Sequence, residues 1–226
     1  MNQVRPQAQP ALGEEIEARY AATRALTEAL VAPLSDADAT IQSMEDASPA
    51  KWHLAHTTWF WETFLLRDHL PDYTLHDERW PFLFNSYYES VGPRHQRPRR
   101  GLLSRPALED VQAYRRHVEN AAEALIGGAS DQAWGEIRPF VELANNHEQQ
   151  HQELMLTDNK HVLSCNPTNP AYQPFKPHGG DGGGGKIKWI EFPEGLVETG
   201  HAGGGFAFDN ESPRHTVWLN SFRIAP

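Results

Sequence analysis

The sequence predicts a mainly α-helical protein, in which a four-helix bundle is followed by a short β-rich segment. Three observations support this fold class: helical spacing of apolar residues over the first 165 residues, a sharp change of composition after Pro167, and short strand-like runs beyond it. We therefore expect a bundle over residues 1–166, a Gly/Pro-rich linker over 167–185 and the start of a second domain over 186–226.

The first two predicted helices rest on apolar spacing and on a helix start signal. Apolar residues recur at three- and four-residue intervals from about 12 to 32, which places them on one helical stripe. The second helix runs from Ser48, as N-cap, to about Asp68, with Pro49 at the first helical position, where its missing N–H costs nothing. One face of this helix carries Trp52, His56, Trp59 and Thr63.

The third and fourth predicted helices occupy the second half of the bundle. The third starts near Pro106 and ends at Gly127 and Gly128, and the fourth runs from about Pro139 to Leu163. The inward stripe of the fourth is predicted to be Phe140, Ala144, His147, His151, Leu154 and Asp158. This stripe is unusually polar for a core face, and the interiors of helix bundles commonly hold metal sites.

Two regions outside the helices also carry information. Segment 69–105 is long and rich in aromatic residues and arginine, which favours a functional loop over a disordered one. Beyond the linker, KIKWIEFPEGLVETG and HTVWLNSFRIAP predict short strands separated by glycine-rich turns. We expect the sequence to end within the opening strands of a β-rich domain.

Composition narrows the classes of partner and compartment. A formal net charge of −10 would repel phosphate backbones, so we expect no nucleic-acid partner. No apolar run approaches the roughly 20 residues that cross a bilayer, and the N-terminus lacks the apolar core of a signal peptide. A single cysteine, Cys165, fits a reducing compartment. We therefore expect a cytoplasmic protein without a membrane partner.

Histidines in two of the helices form a candidate metal site. The segment NNHEQQHQELML places His147 and His151 four residues apart, so their imidazoles project from one helix face. Burial of two imidazoles without partners would be costly, which favours a bound ion. The segment WHLAHTTWFW offers His53 and His56 as a third ligand, and His56 is preferred because it shares a face with Trp52. Three imidazoles suit iron(II), although most such iron sites use two histidines and a carboxylate, and zinc fits the same set.

The same segment offers a competing interpretation. HEQQH matches the H-E-x-x-H signature of zinc metalloproteases, in which Glu148 would be the general base. The extended signature requires Gly in place of Leu154 and His in place of Thr157, and no glutamate ligand precedes the glycine-rich linker. We therefore rank this interpretation below the three-histidine site.

Four motifs together resemble the ergothioneine-biosynthesis sulfoxide synthases, whose N-terminal half is a DinB-like four-helix bundle. They are SPAKWHLAHTTWF, LFNSYYESVGPRHQRPRRGLLSRP, NNHEQQHQELMLTD and FAFDNESPRHTVWLNSFRIA, and they span nearly the whole sequence. The resemblance implies that His56, His147 and His151 hold iron(II). It also implies oxidative coupling of cysteine or γ-glutamylcysteine to C2 of the trimethylhistidine imidazole, giving a sulfoxide with dioxygen as oxidant.

The resemblance also implies roles in substrate binding. Arg94 and Arg97 match two arginines that bind the carboxylate of the sulfur donor, and Gln150 matches a residue that contacts the trimethylhistidine imidazole. On the residues alone, the arginines could lie in a solvated basic loop and Gln150 could orient a ligand. Glu153 lies about 200° around the helix from His151, so we expect it in helix packing or behind a ligand.

The C-terminal part resembles the start of the formylglycine-generating enzyme, a C-type-lectin-like (sulfatase-modifying-factor) domain. In the synthases this domain supplies a proton-donating tyrosine and much of the trimethylhistidine pocket, and neither is located in this sequence. We therefore expect a truncated enzyme or one that works with a separate C-terminal chain. Two alternatives stay open: an ovothiol-pathway synthase that acts on unmethylated histidine, and a non-catalytic metal-binding bundle.

Overall fold

The computed structural model describes residues 12–175 and 187–225 of the chain. Its contacts form two units, Met1–Pro174 and Phe175–Pro226. The first unit is helical and the second holds the strands, as the mainly α fold class predicted. The boundaries of the linker stay a prediction, because residues 176–185 lie outside the described residues.

The first unit is built around four long helical segments joined by shorter ones. The helical elements are α1 (Leu12–Val31), α2 (Asp36–Thr40), α3 (Ala50–Trp61), a π-helical turn (Glu62–Leu66), α4 (Arg67–His69), α5 (Trp80–Phe84), two 3-10 helices (Glu89–Val91 and Arg97–Leu102), α6 (Leu108–Gly128) and α7 (Asp131–Ser164). Helix α7 packs against α1 and α3, and α3 packs against α6. No helix among the described residues is long and apolar enough to cross a membrane.

Helix α3 starts one residue later than the predicted cap would place it. Pro49 is its N-cap, and Ser48 makes no capping bond. Instead, the Ser48 N–H donates to Asp158 Oδ2 at 2.8 Å and its hydroxyl accepts from Arg100 Nη1 at 2.8 Å. The prediction of Ser48 as N-cap was therefore wrong, because contacts distant in sequence engage its polar groups. Every residue of α3 is buried.

Helix α7 differs from the prediction at its start. It begins at Asp131 rather than near Pro139, because the Ser130 hydroxyl caps it by accepting from the Ala133 N–H. Pro139 lies inside the helix, where its ring leaves the carbonyl of Gly135 without its usual donor. The C-terminal end, Ser164, agrees with the predicted one to within a residue.

The predicted inward stripe of α7 was wrong at Phe140 and Leu154, which are 39% and 46% exposed. The buried positions are Ile137, Val141, Ala144, Asn145, Glu148, Gln152, Met155, Asp158 and Asn159. This stripe is rotated by about one residue, or roughly 100°, from the predicted one. As a result His147 and His151 lie at the edge of the core and keep some exposure.

Glu148 lies at the centre of the bundle and is fully buried. Its Oε2 accepts from Arg24 Nη1 at 2.8 Å and from Trp61 Nε1 at 3.1 Å. Its Oε1 accepts from Arg115 Nη2 at 2.7 Å and from Thr27 Oγ1 at 2.6 Å. One carboxylate thus bonds α1, α3 and α6 to α7. Burial opposes its ionisation, but Arg115 and Arg24 outweigh burial and hold the pKa of Glu148 well below its usual range.

The second unit contains two antiparallel strand pairs. The strands are β1 (Ile190–Phe192), β2 (Gly195–Thr199), β3 (His215–Leu219) and β4 (Phe222–Ile224). Strand β1 pairs with β4 and β2 pairs with β3, so the two pairs are nested in sequence. The prediction of short strands in both segments is confirmed.

We expect Glu148→Gln to lower the free energy of unfolding by about 3 to 5 kcal/mol, because it removes the fully buried anion that Arg24 and Arg115 share. Their remaining ion pairs are with the more exposed Glu119 and Glu28. Glu153→Gln is the matched control, since Glu153 is exposed on the same helix and its change should stay within about 0.5 kcal/mol. Urea unfolding of the metal-free variants, followed by circular dichroism, measures both. Equal stability of the two variants would show that the buried network is dispensable.

Candidate metal centre

Three histidines from two helices converge beside the bundle core. His56 comes from α3, and His147 and His151 lie one turn apart on α7. One nitrogen of each lies within 4.8 Å of the others. The ring centroid of His151 is 4.6 Å from those of both His56 and His147. The three side chains are positioned so that they could hold one metal ion.

The surroundings of the Nδ1 atoms of His56 and His147 indicate which ring nitrogens are available to an ion. His56 Nδ1 lies 2.6 Å from the Phe84 carbonyl oxygen, which can only accept, so Nδ1 donates and Nε2 keeps its lone pair. Metal-binding histidines usually donate their second nitrogen in this way. His147 Nδ1 is buried and has no hydrogen-bond partner among the described residues. An unpartnered buried nitrogen fits a site that a ligand completes.

The fourth nearby histidine, His53, occupies a different position. Its Nδ1 lies 2.8 Å from His151 Nδ1 and its Nε2 lies 3.0 Å from Asp158 Oδ2. Both of its nitrogens are therefore engaged by side chains. The structure places His53 behind His151 and places His56, the residue preferred from sequence, within the group of three.

The electrostatic state of the cluster suits metal binding. Burial lowers the pKa of His56 and of His151 well below the usual value, and the neighbouring histidines lower both further. Burial also lowers the pKa of His147 to about 4. The three imidazoles are therefore neutral at pH 7, which is the form that binds metal ions.

Aromatic rings form one wall of the cluster. Trp52 stacks on His56 with centroids 4.6 Å apart and an interplanar angle of 10°, and Trp59 stacks on it at 5.3 Å. The Phe60 ring lies 4.3 Å from that of His147. Close packing of this kind fixes the rotamers of the histidines.

Arg94 and Arg97, which are predicted to bind the carboxylate of the sulfur donor, line one cavity of about 310 Å³. Their guanidinium carbons lie 5.6 and 5.4 Å from the centroid of the Tyr87 ring, which both contact as cations. Arg94 is exposed and its Nη1 is 4.0 Å from Glu89 Oε1. The structure therefore brings the two arginines together over one aromatic ring.

A third arginine, Arg100, lines the same cavity and was missed by sequence reasoning. It is buried, its guanidinium carbon lies 3.3 Å from the Trp52 ring centroid, and it donates to the hydroxyls of Ser48 and Ser86. Burial and the nearby Arg97 lower the pKa of Arg100 to about 9. Because Trp52 also stacks on His56, Arg100 connects the arginine cavity to the histidines.

A sequence signal for Arg100 does exist. It follows Arg97 by three residues, and Arg97 follows Arg94 by three. Residues three apart share a face of a 3-10 helix, and Arg97 and Arg100 lie in such a helix. Recognising the signal requires knowing that this segment is 3-10 helical, which the loop prediction did not include.

The profile of the DinB superfamily matches residues 19–155, which is more than half of the chain and includes all three histidines. The chain belongs to the DinB superfamily. A search of curated proteins found no match. The helical bundle is thus a DinB domain, and the candidate centre lies within it, between α3 and α7. Family membership leaves the chemistry of the centre open.

Three other acidic or amide side chains of α7 lie outside the histidine cluster. Gln150 is exposed on α7, next to His151 in sequence. Glu153 is also exposed, so the expectation that it lies in helix packing was wrong, and its alternative position behind a ligand stays a prediction. Glu148 faces the buried arginines instead of the histidines, so it is not free to serve as the general base of a metalloprotease.

We expect the DinB bundle to bind about one divalent ion per chain, and His56→Ala, His147→Ala and His151→Ala each to remove most of it, because each removes one of three ligands. His117→Ala, an exposed histidine on α6, is the control. Equilibrium dialysis against iron(II) without oxygen, followed by elemental analysis, measures the stoichiometry. Full retention in His56→Ala with loss in His53→Ala would transfer the third-ligand role to His53.

Proposed function

We propose that this DinB protein is an iron(II)- and dioxygen-dependent sulfoxide synthase that couples cysteine or γ-glutamylcysteine to trimethylhistidine. The observation that carries the proposal is the convergence of His56, His147 and His151 next to a cavity lined by arginines. The motif resemblance supports the substrates, and the neutral imidazoles support a metal-dependent reaction.

Iron is proposed as the metal because of the reaction. The donor thiol R–SH, an imidazole C–H and O₂ give a C–S bond, one S=O bond and one water, so dioxygen accepts all four electrons. Three protein ligands leave positions open on an ion, which suits iron(II) oxygen chemistry. When bound, the ion would lower the pKa of the thiol and supply the redox chemistry.

The arginine cavity is proposed to bind the carboxylate of the sulfur donor. Planar guanidinium groups match a carboxylate and can donate two parallel hydrogen bonds. Arg94, Arg97 and Arg100 place three positive charges around one cavity. Burial is the largest cause of the lowered pKa of Arg100, and the positive charge of Arg97 is the next largest. An anion bound there would relieve this repulsion. The donor would then be bound near Trp52, whose ring contacts both Arg100 and His56.

Gln150 is proposed to contact the imidazole of the acceptor. It is exposed and precedes His151, so its amide is free of helix packing. An amide can donate to one ring nitrogen or accept from the other, which would orient the ring for attack at carbon.

We expect Arg97→Ala to weaken cysteine binding by roughly 1.5 to 3 kcal/mol, since it removes a charge-assisted bond from a partly buried site. Arg94 is more exposed, so solvent screening should limit the effect of Arg94→Ala to about 1 kcal/mol. Arg99→Ala, an exposed arginine of the same 3-10 helix, is the control. Calorimetric titration of iron-loaded protein with cysteine, without oxygen, gives the affinities. Equal values in all variants would mean that the cavity does not bind the donor.

We expect iron-loaded protein to consume oxygen with thiol present, and to form the carbon–sulfur product from thiol and trimethylhistidine efficiently only when a C-terminal formylglycine-generating-enzyme-like domain is supplied, fused or in trans. The reason is that an open iron site without the walls of the acceptor pocket cannot align the second substrate. Serine in place of cysteine should abolish both signals because it lacks the sulfur nucleophile, and His147→Ala should abolish them because it lacks a ligand. An oxygen electrode and mass spectrometry of the product provide the readout. A product formed only with unmethylated histidine would reassign the acceptor. Oxygen uptake without any carbon–sulfur product, even with the C-terminal domain supplied, would contradict the proposal.

A further inference from the structure

A buried pair, His53 and Asp158, lies directly behind one of the candidate metal ligands. His53 is 2% exposed and Asp158 is 9% exposed. His53 bridges Asp158 and His151: its Nε2 lies 3.0 Å from Asp158 Oδ2, and its Nδ1 lies 2.8 Å from His151 Nδ1. Two facing Nδ1 atoms at this distance form a hydrogen bond only if one carries a hydrogen and the other does not.

The direction of each hydrogen bond follows from the Asp158 end. The backbone N–H of Ser48 donates to Asp158 Oδ2 at 2.8 Å, so this oxygen is an acceptor. His53 Nε2 shares that oxygen and therefore donates to it. A neutral imidazole carries one hydrogen, so His53 Nδ1 is left as an acceptor. His151 Nδ1 must then donate, and His151 Nε2 keeps its lone pair.

We propose that Asp158 and His53 form a relay that holds His151 with its hydrogen on Nδ1 and so presents Nε2 to the metal ion. The inference rests on the metal-binding part of the proposed function and concerns residues that contact no ion themselves. His53 and Asp158 are positioning residues for the ligand His151.

The relay makes the three ligands unequal. Among the described residues, a chain of hydrogen bonds that ends in a carboxylate lies behind His151 alone of the three, whereas His56 donates to the neutral carbonyl of Phe84. His147 Nδ1 has no partner in the described part of the chain. A carboxylate behind a histidine fixes the ring and raises its basicity as a ligand. His151 is therefore the ligand on which metal affinity depends most.

The first test is metal affinity, measured with zinc(II) against a chromophoric chelator. His53→Phe keeps a ring of similar shape and removes both hydrogen bonds, so affinity should fall by about 10- to 100-fold. Asp158→Ala should act similarly, and Asp158→Asn should lie between it and the wild type, because an amide oxygen still accepts but carries no charge. His117→Phe is the matched control and should leave the affinity unchanged.

The second test reads the tautomer of His151 directly. Two-bond nitrogen–proton NMR correlations of metal-free, ¹⁵N-histidine-labelled protein should show the His151 hydrogen on Nδ1 in the wild type and in Asp158→Asn. In His53→Phe and Asp158→Ala it should move to Nε2, the form that free imidazole prefers. A residue that only supports packing would not change the tautomer.

The outcomes separate the inference from the function on which it rests. Wild-type protein that binds no zinc(II) or iron(II) would overturn the metal site itself. Wild-type protein that binds metal, with unchanged affinity and tautomer in His53→Phe, would overturn the relay alone. If circular dichroism shows that His53→Phe does not fold, the comparison of Asp158→Asn with Asp158→Ala decides: equal affinities and an Nδ1–H tautomer in both would overturn the relay.

Discussion

The ionised carboxylate of Glu148 is the constraint on which the rest of the bundle depends. It accepts hydrogen bonds from α1, α3 and α6, so the rotation of α7 about its own axis is fixed by donors on every other long helix. A buried carboxylate that lost these donors would carry a large desolvation penalty. His147 precedes Glu148 by one residue, about 100° around the helix. Fixing Glu148 at the centre therefore holds His147 and His151 at the edge that faces α3.

The arginine cavity and the candidate metal centre share structural parts. Ser48 accepts from Arg100 through its hydroxyl and donates to Asp158 through its backbone N–H. Trp52 lies between Arg100 and His56. Arg100 is thus linked by direct contacts to His56 through a stacked ring, and to Asp158 behind His151 through Ser48. The geometry offers a physical route by which occupation of the cavity would affect the histidines.

Sequence periodicity predicted the long helices well, because their existence depends on local spacing and on breakers such as Gly127 and Gly128. It misplaced the core face of α7, because it favoured the apolar Phe140 and Leu154 over polar positions such as Glu148. Burial of Glu148 is favourable only with Arg24 and Arg115, which lie far away in sequence. The same reason explains Ser48 and Arg100, whose partners are set by tertiary contacts that no local pattern encodes.

The four clustered histidines differ in how many of their ring nitrogens are engaged by neighbouring residues. His53 uses both ring nitrogens in hydrogen bonds to side chains, as a satisfied core residue does. His56 and His151 each use only Nδ1 within the described residues, and His147 Nδ1 is buried with no partner. Buried polar atoms are rarely left unpaired unless a ligand or water completes them. His56, His147 and His151 therefore keep ring nitrogens that no described residue engages, and neutral imidazoles of this kind are suitable ligands for one metal ion.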